Sequence, residues 1–157
     1  MSGFFVDTNV LIYAFGEHDA AKRAAARRLA EASDAVVSTQ VLSELANVMT
    51  RRLDFAPEAA RSRIESIASS CEVVTVTPAI VLNALRVMEK YRYGFFDSQI
   101  IASALAAGVA ILYSEDLHDG QTIESALTIQ SPFHTRAEQS RATYRMRRAR
   151  RSVSRRR

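Results

Sequence analysis

Short apolar runs alternate with longer stretches of helical period along most of the chain. Residues 3–6 read Gly-Phe-Phe-Val and stop abruptly at Asp7. Their length and aromatic or β-branched content predict a buried strand. Similar runs at 35–37, 72–76 and 110–113 predict three more. Between them, helical periodicity covers about 19–32, 40–52, 57–70, 78–91 and 98–107, with Pro57 and Pro78 at helix starts and Gly108 as a stop. Strands and helices in alternation predict an α/β fold with a mostly parallel sheet covered on both faces. Nothing repeats internally at a fixed period.

Charge divides the chain in two. Residues 1–135 carry 11 Lys plus Arg against 16 Asp plus Glu, whereas residues 136–157 carry ten arginines against Glu138, so the net +4 conceals a −5 body and a +9 tail. We place the domain boundary near residue 133: one domain over 1–133, and an arginine-rich tail over 134–157 expected to lack packed structure. The tail reads either as a solvated extension without specific function or as an RNA-phosphate contact, with Arg147, Arg148, Arg150 and Arg151 as its densest cluster. The first residues lack the basic and apolar segments of a signal peptide, and no run approaches the roughly 18 apolar residues of a membrane span. A cytoplasmic protein is expected. Cys71, the single cysteine, fits a reducing compartment and reads as a small buried hydrophobe.

An acidic body that handles nucleic acid needs cations to bridge the repulsion, which directs attention to its carboxylates. Taken singly, Asp7 could cap the helix that follows it, Glu44 could be a surface helix residue, Asp97 could cap the helix near residue 98, and Asp116 could be an ordinary loop residue. Their placement says more. Asp7 and Asp116 follow strands directly, and in a parallel sheet the ligand crevice lies beyond the carboxyl ends of the strands. Glu44 sits at the edge of the apolar face formed by Val41, Leu45, Val48 and Met49. Asp97 opens a helix that is apolar nearly all round, which predicts a buried or cleft-facing carboxylate. No Lys or Arg close in sequence neutralises these four, so a divalent cation is the natural counter-charge. Oxygen-only ligation favours Mg²⁺ or Mn²⁺ over zinc.

The segments Phe5-Val6-Asp7-Thr8-Asn9-Val10-Leu11, Gln40-Val41-Leu42-Ser43-Glu44-Leu45, Phe96-Asp97-Ser98-Gln99-Ile100-Ile101 and Tyr113-Ser114-Glu115-Asp116-Leu117 together resemble the PIN-domain ribonucleases, and more narrowly the VapC-type toxins of toxin-antitoxin pairs. The resemblance runs from about residue 3 to Phe133. It implies a three-layer α/β/α fold with about five strands, a Mg²⁺ or Mn²⁺ site made by Asp7, Glu44, Asp97 and Asp116, RNA cleavage, a homodimer and restraint by a cognate antitoxin. Thr8 and Asn9 match the polar pair that buttresses the first aspartate, and Ser114 the hydroxyl before the last. Glu115 and Asp119 crowd Asp116, which leaves Asp119 as the alternative fourth ligand.

Other chemistries fit less well. A phosphoacceptor receiver module needs an adjacent acidic pair after the first strand and a lysine after the last, and neither is present. An aspartyl phosphatase wants a second Asp where Asn9 stands. A metal-free ribonuclease would have to draw on His18, His118 and His134, which read as solvated loop residues. An RNA-binding protein acting through its tail alone is the non-enzymatic alternative.

Overall fold

The computed structural model describes residues 3–17 and 19–133. Strand β1 (Phe4–Val6) lies at the centre of the sheet, followed by helix α1 (Thr8–Ile12), α2 (Ala20–Ala30), β2 (Ala35–Ser38), α3 (Thr39–Arg51), α4 (Pro57–Ser70), β3 (Glu72–Val74), α5 (Pro78–Tyr91), α6 (Phe95–Ala107), β4 (Ile111–Tyr113), β5 (Thr122–Ile123) and β6 (Leu127–Gln130). The strand order is β3-β2-β1-β4-β6-β5, parallel except for β5. Neighbouring residues of a strand point to opposite faces, so the full burial of both Phe5 and Val6, and of all four residues of β2, shows that both faces are covered. Helix α6 packs on β2, β3 and α5; α1 to α4 form the second group. No helix among the described residues is long and apolar enough to cross a membrane.

Local chemistry sets the helix ends. Ser38, Thr77 and Asp19 each accept a backbone amide at the start of α3, α5 and α2, and Pro57 and Pro78 occupy first-turn positions that need no N–H. Cys71 is buried, as expected, with its thiol 3.7 Å from the Ala30 carbonyl.

Two features differ from the sequence expectation. The sheet has six strands rather than about five, because residues 122–130 form a hairpin whose β6 alternates buried Leu127 and Ile129 with Thr128 and Gln130. Its turn carries positive φ at Glu124 (48°) and Ser125 (56°), positions where Asn or Gly would ordinarily announce a hairpin. Helix α6 starts at Phe95 rather than near residue 98, since Gly94 takes the cap position with no side-chain bond. Asp97 therefore lies within the first turn and is not the cap.

The topology fixes where a ligand can sit. From β1 the chain runs outward through β2 and β3, then crosses to β4 on the other side of β1. The carboxyl ends of β1 and β4 thus flank the point where strand order reverses, the usual crevice of an open parallel sheet.

Candidate active site

All four sequence-predicted acids line one cleft of about 270 Å³ at that crevice: Asp7 from the end of β1, Glu44 from α3, Asp97 from α6 and Asp116 from the loop after β4. Thr8, Asn9, Ile12, Gln40, Asn47, Val48 and Ile100 complete its walls.

Asp7 is only 5% exposed. Its backbone N–H pairs with the Tyr113 carbonyl of β4, which locks the residue to the sheet. One carboxylate oxygen accepts the Thr8 amide at 2.7 Å; the other accepts the Ser114 hydroxyl at 2.8 Å and the Asn9 amide at 3.0 Å. Asp7 is thus the N-cap of α1 as well as a wall of the cleft. Burial pushes its pKa up from 3.8 to about 7; the Ser114 and Thr8 bonds oppose that rise, and the nearby charges of Glu44 and Asp97 add to it.

Glu44 is half-buried and has both oxygens engaged. The Thr8 hydroxyl donates to one at 2.9 Å and the Gln40 amide to the other at 2.7 Å. Gln40 also donates to the Phe96 carbonyl at 3.1 Å and accepts from the Gln99 amide at 2.7 Å, tying α3 to α6. Gln40 and Gln99 were missed in the sequence. Gln40 carried a signal, because a residue four positions before Glu44 shares its helix face; Gln99 stood out only as a lone amide in an apolar helix.

Asp97 faces the cleft but is exposed, not buried. Partial desolvation raises its pKa first, then the charges of Asp116 and Glu44. Asp116, also exposed, accepts the Asn9 side-chain amide at 3.0 Å, and Asn9 Oδ1 accepts the Glu115 backbone N–H at 3.2 Å. Asn9 therefore staples the β4 loop to the end of β1. Asp119 lies outside the cleft lining and accepts the Ser131 amide at 2.8 Å. Glu115 turns away to an ion pair with Lys22, whose ammonium also stands 4.6 Å from the Tyr13 ring centre and 5.0 Å from that of Phe133.

Thr8, Asn9 and Ser114 are thus all in contact with the acids, with a division of labour invisible in the sequence: the Thr8 hydroxyl serves Glu44, and Asn9 bridges Asp7 to Asp116. His118 is exposed and bonds Tyr93 and Gln121, while His18, His134 and the tail arginines Arg147, Arg148, Arg150 and Arg151 lie outside the described residues.

The donor set suits a hard divalent cation. It consists of carboxylate and amide oxygens with no sulfur or imidazole. Both ion pairs found among the described residues, Lys22–Glu115 and Lys90–Glu124, leave the four acids without a cationic partner. No three acidic, His or Cys side chains among the described residues are already gathered into a metal cage.

The fold has close counterparts among solved structures. VapC20 of Mycobacterium tuberculosis, described as a sarcin-ricin loop cleaving toxin, shares 22% identity over 73% of this chain and 90% of that one, with a TM-score of 0.59. A DNA-bound VapBC from Salmonella typhimurium shares 21% over 84% and 99% (TM-score 0.63), and a toxin-antitoxin complex from Klebsiella pneumoniae 18% over 85% and 100% (TM-score 0.62). These likenesses establish the fold. No curated protein sequence matches the chain. The PIN domain family model matches residues 4–118, a span that contains every strand end and acidic side chain of the cleft, and the chain belongs to the PIN domain family.

Proposed function

We propose that the protein is a Mg²⁺- or Mn²⁺-dependent endoribonuclease and the toxin of a toxin-antitoxin pair. The observation that carries this reading is the convergence of Asp7, Glu44, Asp97 and Asp116 on one cleft without a cationic partner among the described residues. Membership of the PIN domain family and likeness in fold to VapC structures support it.

When bound, a hard divalent ion supplies positive charge for the phosphodiester and an activated water. The chain does the rest. Asp7, Glu44, Asp97 and Asp116 would hold the ion. Thr8, Gln40, Asn9 and Ser114 keep the carboxylates oriented by direct hydrogen bonds, the usual role of a supporting shell. Asp7 near neutrality must release its proton to become a full ligand, so cation binding and deprotonation are coupled there.

The partners follow from the same reading. A cognate antitoxin presents an Arg or Lys to the acids where the cation would sit, as charge complementarity favours. A homodimer forms through the apolar stripe Leu82, Leu85 and Met88, which is exposed along α5. The tail beyond Phe133 adds sequence-independent affinity for RNA phosphates.

The test is RNA cleavage by the full chain with Mg²⁺, with Mn²⁺ and with excess EDTA. Cleavage in metal alone, lost in Asp97→Asn, is the expected result. Undiminished cleavage in EDTA would sink the mechanism.

A further inference from the structure

Phe96 is the most exposed large apolar side chain among the described residues, with 66% of its surface open, yet it is not part of the aliphatic stripe on α5. It sits in the first turn of α6, immediately before Asp97. Its ring stands edge-on against Phe95 at 5.4 Å and 74° between planes. Phe95 in turn packs against the small buried cluster of Ile80, Ala84 and Ala102. The Phe96 carbonyl accepts the Gln40 amide that also holds Glu44. Two-thirds of the ring is left open beyond its edge contact with Phe95, and its backbone is tied to the acidic cleft through Gln40.

From these facts we infer that Phe96 is a stacking platform for an unpaired nucleobase beside the scissile phosphate. Phe96 and Asp97 are consecutive, with Cα atoms about 3.8 Å apart, so the base of a nucleotide adjoining a phosphate at Asp97 comes within a side chain's length of the ring, which itself stands outside the lining of the acidic cleft. Any base offers a π-face, so the platform selects single-stranded over paired RNA without choosing a sequence, since paired bases are already stacked. The inference rests on the ribonuclease reading and adds to it a residue that positions the substrate's base.

The chain contains no tryptophan, so Phe96→Trp creates a single fluorophore at the proposed platform. In the full chain made inactive by Asp7→Asn, with Mg²⁺ present, a short single-stranded oligoadenylate should quench that emission. The same strand paired with oligouridylate, or an abasic strand of equal charge, should leave it nearly unchanged. A Leu82→Trp control on α5 should stay silent. In the otherwise native chain, Phe96→Ala should weaken single-stranded RNA binding about 5- to 150-fold and raise KM rather than lower kcat, while Phe96→Tyr restores both. Equal quenching by abasic and intact strands, or emission that responds to protein concentration and not to RNA, would overturn the inference; the second result would assign the ring to contact between copies. Quenching by single strands without cleavage under any metal would remove the ribonuclease reading and leave the platform. Metal-dependent cleavage with unaltered binding by Phe96→Ala would do the reverse.

Discussion

The two halves of the acidic cleft are built on opposite plans. At its floor, Asp7 and Glu44 have every carboxylate oxygen hydrogen-bonded, and their donors come from their own or adjacent elements. At its rim, Asp97 and Asp116 are exposed; among the described residues Asp116 is hydrogen-bonded by Asn9, and the influences that reach Asp97 are burial and two negative charges. The floor is positioned before any cation arrives. On the proposed reading a cation would offset the charge gathered at the rim, so substitutions in the two halves should have similar effects on chemistry and different effects on stability.

The largest effect expected is on cleavage. Asp7→Asn and Asp97→Asn should each lower kcat by about a hundred- to a thousandfold or more, the scale seen when one group that stabilises developing charge is lost. Stability separates them. Asp97→Asn removes one of several like charges and breaks no hydrogen bond among the described residues, so the metal-free melting temperature should rise at neutral pH. Asp7→Asn also removes a charge, but an amide cannot accept from Thr8, Ser114 and Asn9 on both sides. Its melting temperature should hold at about pH 8 and fall at about pH 5, where the native carboxyl is already neutral. A large loss for both variants at both pH values would mean that the acids serve the fold first.

The next effect is on the pH dependence of the metal-free chain. Asp7 titrates at 3.8 when unperturbed and at about 7 in the folded protein. Between those values the folded state holds a proton that the unfolded state has released. The stability that Asp7 contributes is therefore greatest below about pH 4, declines as pH rises toward 7 and levels off above it. The full shift corresponds to a ceiling of about 4 kcal/mol. Urea unfolding in EDTA at several pH values reads this slope, which Asp7→Asn should flatten. Saturating Mn²⁺ should reverse it and release about half a proton per ion at about pH 7, rising toward one at about pH 6, measurable by calorimetry in buffers of different ionisation enthalpy.

This difference between floor and rim also explains what the sequence could reveal. Apolar runs ending at Asp7 and Tyr113 located the strand ends, because parallel buried strands leave little choice of residue; α4 and α5 could be bounded because proline marks their starts. The β5–β6 hairpin escaped, since its turn uses Glu124 and Ser125 with positive φ, and because a two-residue strand carries almost no periodicity. Within the cleft, the carboxylates were legible as charges without neighbours to cancel them. Their supports were less so. Thr8 and Asn9 adjoin Asp7, but the pairing of Thr8 with Glu44 spans 36 residues and that of Asn9 with Asp116 spans 107, distances at which only the folded sheet supplies the contact.

A smaller effect tests the floor's supports. Thr8→Val and Gln40→Leu each strip one donor from Glu44. Each should weaken Mn²⁺ binding about 10- to 100-fold, as losses in a supporting shell usually do. Gln99→Leu, which acts on Gln40 at one remove, should cost less than either. Equal Mn²⁺ affinity in all three variants would show that Glu44 needs no orientation.

The smallest effect is expected at the rim's remote support. Tyr93, buried just before α6, places its hydroxyl against the His118 ring at 3.1 Å, accepts the His118 amide at 3.3 Å and bonds the Gln121 side chain. One phenol thus clips the loop that carries Asp116 to the start of the helix that carries Asp97. Removing the hydroxyl keeps the packing of the ring and releases the clip, so Tyr93→Phe should leave the fold intact and let Asp116 wander. The expected loss is up to about tenfold in Mn²⁺ affinity, the scale of a net hydrogen bond or two, with KM for RNA unchanged. Asp116→Asn should make Tyr93→Phe silent, because a positioning residue has nothing to add once the group it positions is gone. Additive losses in the double variant would place Tyr93 in general loop stability instead, and the rim would then depend on Asn9 alone.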